Sequence, residues 1–127
     1  MDPLVDGVPD LRGVWKVVDL RAAGETVPDD HPVWQHRERV EQAGNRVVIT
    51  AGGIVHDMVA DGTYENGVND VAAMDFTTRI VVAAAFEDSV LVLRPRDIPG
   101  VEVRRWRDGD QLVWDYAGSF VARMERA

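Results

Sequence analysis

Thirteen arginines, three histidines and no cysteine bound the chemistry open to this chain. Without cysteine there is no disulfide, no thiolate metal site and no Cys nucleophile. His31 and His36 lie five residues apart, a poor metal pair, so neither a metal nor any other cofactor is expected. His56 and Asp57 are neighbours on an extended segment and point to opposite faces, which excludes a direct His-Asp catalytic pair between them. An inward His56 is a candidate proton acceptor near neutral pH, set against the commoner role of a satisfied wall residue. No glycine-rich phosphate loop, Ser-centred elbow or His-x-x-x-His pair is present. The other concentration of chemistry is basic: residues 94–107 hold five Arg against two acids, whereas 57–88 hold seven acids and one Arg. These charges either solvate strand faces and hairpin tips or send some arginines into a pocket as oriented donors.

The elements that must position them read as strands. Residues 14–20 (Val-Trp-Lys-Val-Val-Asp-Leu) are rich in β-branched and aromatic side chains and run into a turn at 22–25. Residues 26–30 read as loop, and 33–42 suit a strand or a short helix, with strand preferred. Strands follow at 47–50, 54–59, 76–86, 89–93, 101–107, 111–116 and 120–125, with turns at Gly52-Gly53, Asp61-Gly62, Asn66-Gly67 and Asp108-Gly109-Asp110. Turn signals every 8 to 12 residues and no long helix point to an all-β fold, an antiparallel up-and-down β-barrel of about 8–10 strands, which removes exposed sheet edges by closing on itself. Residues 1–10, with three Asp and two Pro, read as a flexible N-terminal arm, and 11–127 as a single barrel domain.

Whole-chain properties exclude several partners. With 127 residues, 46% of them hydrophobic, there is enough material for one core. A formal charge of −8 repels phosphate backbones and anionic lipid, so nucleic acid is not an expected partner. Apolar runs such as 80–86 are far short of a membrane span, and residues 1–3 show no signal sequence, which together imply a cytoplasmic protein without a membrane partner. A single Lys beside 13 Arg fits a GC-rich bacterial source.

The register at the Asp108-Gly109 turn decides which side chains of 101–107 face inward. A two-residue turn at Asp108-Gly109 places Val101, Val103 and Arg105 on the face of Leu112, Trp114 and Tyr116. A three-residue loop places Glu102, Arg104 and Trp106 there instead. Trp114 and Tyr116 share the inward face in both.

The opening Gly13-Val14-Trp15 resembles the Gly-x-Trp first strand of the calycin superfamily, the lipocalins and fatty-acid-binding proteins, and residues 23–28, 44–49 and 61–64 look like small bacterial lipocalin-like domains. Residues 103–113 and 121–125 are similar to the last strands of fatty-acid-binding proteins. The resemblance implies a lipocalin-like barrel with Trp15 plugging one end. It matches Arg104 and Arg123 to the inward arginines that hold a ligand carboxylate, although Glu125 stands where that family has Tyr. It also favours the three-residue loop, giving the ligand-binding set Glu102, Arg104, Trp106, Trp114, Tyr116 and Arg123, with the alternative that Glu102 and Arg104 pair on the outer wall. An inward Arg123 leaves Phe120, Ala122 and Met124 as an outer apolar stripe that the arm or a second subunit in a homodimer would cover.

The implied function is binding of a small hydrophobic or amphipathic molecule with one polar group, as a carrier or sequestering protein. The alternative is a cofactor-free cyclase or isomerase of natural-product biosynthesis, folding a reactive intermediate in the same cavity with Arg104, Tyr116 or His56 as catalytic candidates. Haem binding would need a histidine near the C-terminus, and the last is His56.

Overall fold

The computed structural model describes residues 8–51, 54–63, 68–72, 79–96 and 100–127. Among the described residues eleven strands run in chain order: β1 (Gly13–Ala22), β2 (Glu25–Thr26), β3 (Arg37–Ala43), β4 (Arg46–Ala51), β5 (Ile54–Val59), β6 (Val68–Ala72), β7 (Arg79–Glu87), β8 (Val90–Pro95), β9 (Val103–Asp108), β10 (Gln111–Tyr116) and β11 (Phe120–Arg126). The two-residue β2 pairs only with β1, and the other ten form one antiparallel path, β5-β4-β3-β1-β11-β10-β9-β8-β7-β6. An isolated bridge between Asp61 and Ala85, with Gly62 N–H donating to Ala84 O at 2.8 Å, draws the β5 side towards β7, so the barrel is nearly closed. The expected turns at Gly52-Gly53 and Asn66-Gly67 and the start of the strand at 76 lie outside the described residues.

Strand boundaries follow the β-branched runs closely. The segment 33–42 divides: Pro32–Gln35 is a single 3-10 turn capped by His31, and the strand begins at Arg37. Proline at the first helical position starts the turn, and the alternation that follows, with Glu38, Val40 and Gln42 buried between exposed Arg37, Arg39 and Glu41, makes the rest a strand. Of the expected arm, Pro9 and Asp10 are held by the barrel: Gln42 Nε2 donates to Pro9 O at 3.0 Å and Arg107 Nη1 to Asp10 O at 3.0 Å.

The core runs along the barrel interior, with Leu11, Trp15, Leu20, Val40, Val47, Met58, Leu91, Leu112, Ala122 and Met124 among its members. Phe120, Ala122 and Met124 are buried on β11, and Arg123 points out, where its guanidinium meets Asp108 at 2.8 Å. This corrects the inward Arg123: apolar side chains take the core face of a strand, so Phe120, Ala122 and Met124 lie inside and are not an outer stripe.

Trp15 closes one end. It is fully buried, its Nε1–H donates to Leu11 O at 2.9 Å, and the guanidinium carbons of Arg107 and Arg126 lie 5.3 and 4.6 Å from its ring centre. Gly13 has φ at +137°, a backbone conformation that L side chains rarely adopt, which gives the glycine at this position its conformational reason.

Candidate functional site

The β9–β10 hairpin sets the site. Asp108 pairs with Gln111 around a two-residue turn, Gly109-Asp110, with Gly109 at φ +59° in the first central position, as a II′ turn requires. Arg107 then pairs with Leu112, Arg105 with Trp114 and Val103 with Tyr116. The inward face of β9 is therefore Val103, Arg105 and Arg107, and the expectation of inward Glu102, Arg104 and Trp106 is corrected. Arg104 is exposed and ion-paired to Glu102, which also accepts from Arg94 Nε at 2.7 Å. Arg94 continues to Glu87, so the pairs form a ladder on the outer wall. Trp106 lies opposite Val113 on the same outward parity.

Arg105 meets a carboxylate inside. Its Nε and Nη2 donate to Glu38 Oε2 and Oε1 at 2.9 and 3.0 Å, and the two side chains are 7% and 0% exposed. His36 Nε2 lies 2.7 Å from Glu38 Oε1. Burial raises the pKa of Glu38, yet the facing charge of Arg105 and the hydrogen bonds from His36 and Arg105 outweigh it and lower the carboxyl from its ordinary 4.5 to about 2. An ionised carboxylate only accepts, so Nε2 of His36 carries the hydrogen of that contact. The His36 ring packs 4.5 Å from that of Trp114, and the Arg105 guanidinium carbon sits 4.9 Å from the same ring system.

Trp114 joins this cluster to an apolar recess. Its ring makes edge contacts with Tyr116 and Phe120, at 5.7 and 5.1 Å, while Tyr116 and Phe120 stack on each other at 5.1 Å. Tyr116 and Phe120 line a cavity of about 230 Å³ together with Leu20, Ala22, Val27, His31 and Ser119. These residues come from the far end of β1, the loop after β2 and the β10–β11 turn, so the recess opens at the end opposite Trp15. The loop is fixed by Trp34, whose Nε1–H donates to Val27 O at 3.1 Å, and by buried Val33. Trp114 is 5% exposed, and its buried Nε1–H has no hydrogen-bond acceptor among the described residues. A buried donor left unsatisfied is costly and rare, and a water or a ligand oxygen would relieve that cost.

Of the expected residues, Tyr116 lines the recess and Trp114 packs behind it against Tyr116 and Phe120, and Glu102, Arg104, Trp106 and Arg123 do not line it. His56 opposes buried Ile49 on β5 and does not line the recess. Glu38 was not singled out by its sequence. Its only signal is the alternation of 37–43, in which Glu38 and Gln42 flank Val40 on one face. No group of His, Asp or Glu able to hold a metal occurs among the described residues.

No protein-family model matches this chain, and no curated protein matches it. Among solved structures, human cRBP IV superposes with a TM-score of 0.67 at 13% sequence identity, over 93% of this chain and 98% of that one. The meander of ten antiparallel strands and this superposition define the class by fold: the chain is a nearly closed antiparallel β-barrel with the fold of that protein, the calycin-like architecture that the sequence resemblance implied.

Proposed function

We propose that the barrel binds a small, largely apolar molecule carrying one polar group, and stores, carries or sequesters it. The observation that carries this reading is the apolar recess opposite the Trp15 plug, walled by Tyr116 and Phe120 and backed by Trp114 with its unsatisfied buried Nε1–H. Apolar and aromatic walls with few polar groups are the usual make-up of a small-molecule site, the polar groups fixing orientation. The superposed human protein is a cellular retinol-binding protein, which supports a hydrophobic ligand with a polar end. Trp114 is the proposed donor to that end, and Tyr116 and Phe120 the proposed walls.

The test is fluorescence titration with Nile red, a neutral apolar probe, together with native mass spectrometry of the purified protein for a retained small molecule. Wild type should bind the probe at one site, and Ala22→Trp, which fills the recess, should weaken binding at least about tenfold. Absence of both probe binding and a retained molecule would overturn the proposal.

A further inference from the structure

Resting on that reading, we infer that the barrel selects neutral ligands against carboxylates, because Glu38 already occupies the guanidinium that a ligand carboxylate would seek. Arg105 is the one buried cation among the described residues. It sits against Trp114, whose ring contacts both aromatic walls of the recess, so it is joined to the ligand site through one shared side chain. The edge of its guanidinium formed by Nε and Nη2 is taken by both oxygens of Glu38, the fork-to-fork arrangement in which Arg binds carboxylates most tightly. Glu38 is in turn held by His36. The pair sums to no net charge, so it exerts little attraction on an anion. A ligand carboxylate at Arg105 would either displace Glu38 from the guanidinium or bring a second buried carboxylate beside it, with one cation to neutralise both.

The rest of the recess adds no compensating cation. Its lining is Leu20, Ala22, Val27, Phe120 and the neutral polar groups of Tyr116 and Ser119, with His31 at the rim. The His31 Nδ1 already accepts from Val33 N–H at 3.2 Å. Arg104 and Arg123, on the outer wall, are paired to Glu102 and Asp108. By contrast, a hydroxyl, carbonyl or ester oxygen needs only a donor, and Trp114 Nε1–H is one without an acceptor. The ligand class is therefore an uncharged apolar molecule with an oxygen acceptor.

The experiment is displacement of Nile red by decanol and by decanoate at about pH 8, above the range in which an imidazole charges. Wild type should prefer decanol by at least about tenfold. In Glu38→Gln, which frees Arg105, the preference should shift towards decanoate by about tenfold or more. The double variant Glu38→Gln/Arg105→Gln removes the ion pair whole, and decanoate should bind it as weakly as it binds wild type. Equal or better binding of decanoate by wild type would overturn the inference. So would a loss of decanoate affinity of about tenfold in the double variant, since that would show Arg105 anchoring carboxylates with Glu38 in place; this arm holds even if Glu38→Gln alone fails to fold. Failure of wild type to bind Nile red at all would instead remove the binding reading on which the inference rests.

Discussion

At the scale of single residues, the feature that organises the interior is a glutamate. Removing one member of a buried ion pair leaves the other charged and desolvated, so Glu38→Gln should destabilise the protein by about 3–5 kcal/mol near neutral pH. The sign of the pH dependence follows from the lowered pKa. A carboxyl whose folded value lies below its ordinary 4.5, at about 2, contributes its full stabilisation above the ordinary value and loses it as pH falls towards the folded one. Urea unfolding followed by tryptophan fluorescence should therefore show the gap between wild type and Glu38→Gln widest above about pH 5 and closing towards about pH 2. The acid sensitivity of the surface carboxylates Asp10, Asp57, Glu87 and Glu102, all lowered by arginines, is common to both proteins and cancels in the difference. A gap constant across that range would mean that Glu38 is not held ionised. Glu38 is hard to see in the sequence because a charged residue inside a charged segment looks like a solvated face. What makes it an interior residue is Arg105, 67 positions away, and no local pattern encodes that pairing.

At the scale of elements, most strands were legible, β6 and the two-residue β2 being missed, and their register was not. β-branched and aromatic runs mark 54–59 and 111–116 at their observed ends, because side-chain crowding favours extended backbone wherever such residues cluster. The Asp108-Gly109-Asp110 sequence, however, fits turns of several placements. The observed Gly109-Asp110 turn gives the same facing as a turn at Asp108-Gly109, and one residue more in the loop exchanges Arg105 for Arg104. The resemblance to fatty-acid-binding proteins drew the choice towards Arg104, whereas the apolar alternation of β11 already put Arg123 outside. The two adjacent arginines make the register measurable. Arg104→Ala removes an exposed ion pair and should change unfolding free energy by less than about 1 kcal/mol. Arg105→Ala strands Glu38 and should cost about 3–5 kcal/mol in the same denaturation assay. Comparable losses at the two positions would contradict the hairpin register.

At the scale of the whole molecule, the architecture followed from the turn spacing and the lack of any long helix, while the location of the recess did not. The recess is assembled from β1, the loop after β2 and the β10–β11 turn, segments distant in sequence, and its depth depends on how Trp34 and Val33 seat that loop. The pairing of β1 with β11 has a further consequence, in time rather than in space. Trp15 lies opposite Arg126 and Leu20 opposite Ala122, so this ladder joins the first long strand to the last. Hairpins such as β3–β4, β7–β8 and β10–β11 close short loops and can form early, whereas the β1–β11 ladder must close a loop of nearly the whole chain, at greater entropic cost. In pulse-labelled hydrogen exchange during refolding, the β1 amides bonded to β11 should gain protection after those of the local hairpins; simultaneous protection would refute this order. During synthesis, too, β1 emerges first and waits longest for its neighbour, so this barrel stays open until its last strand arrives.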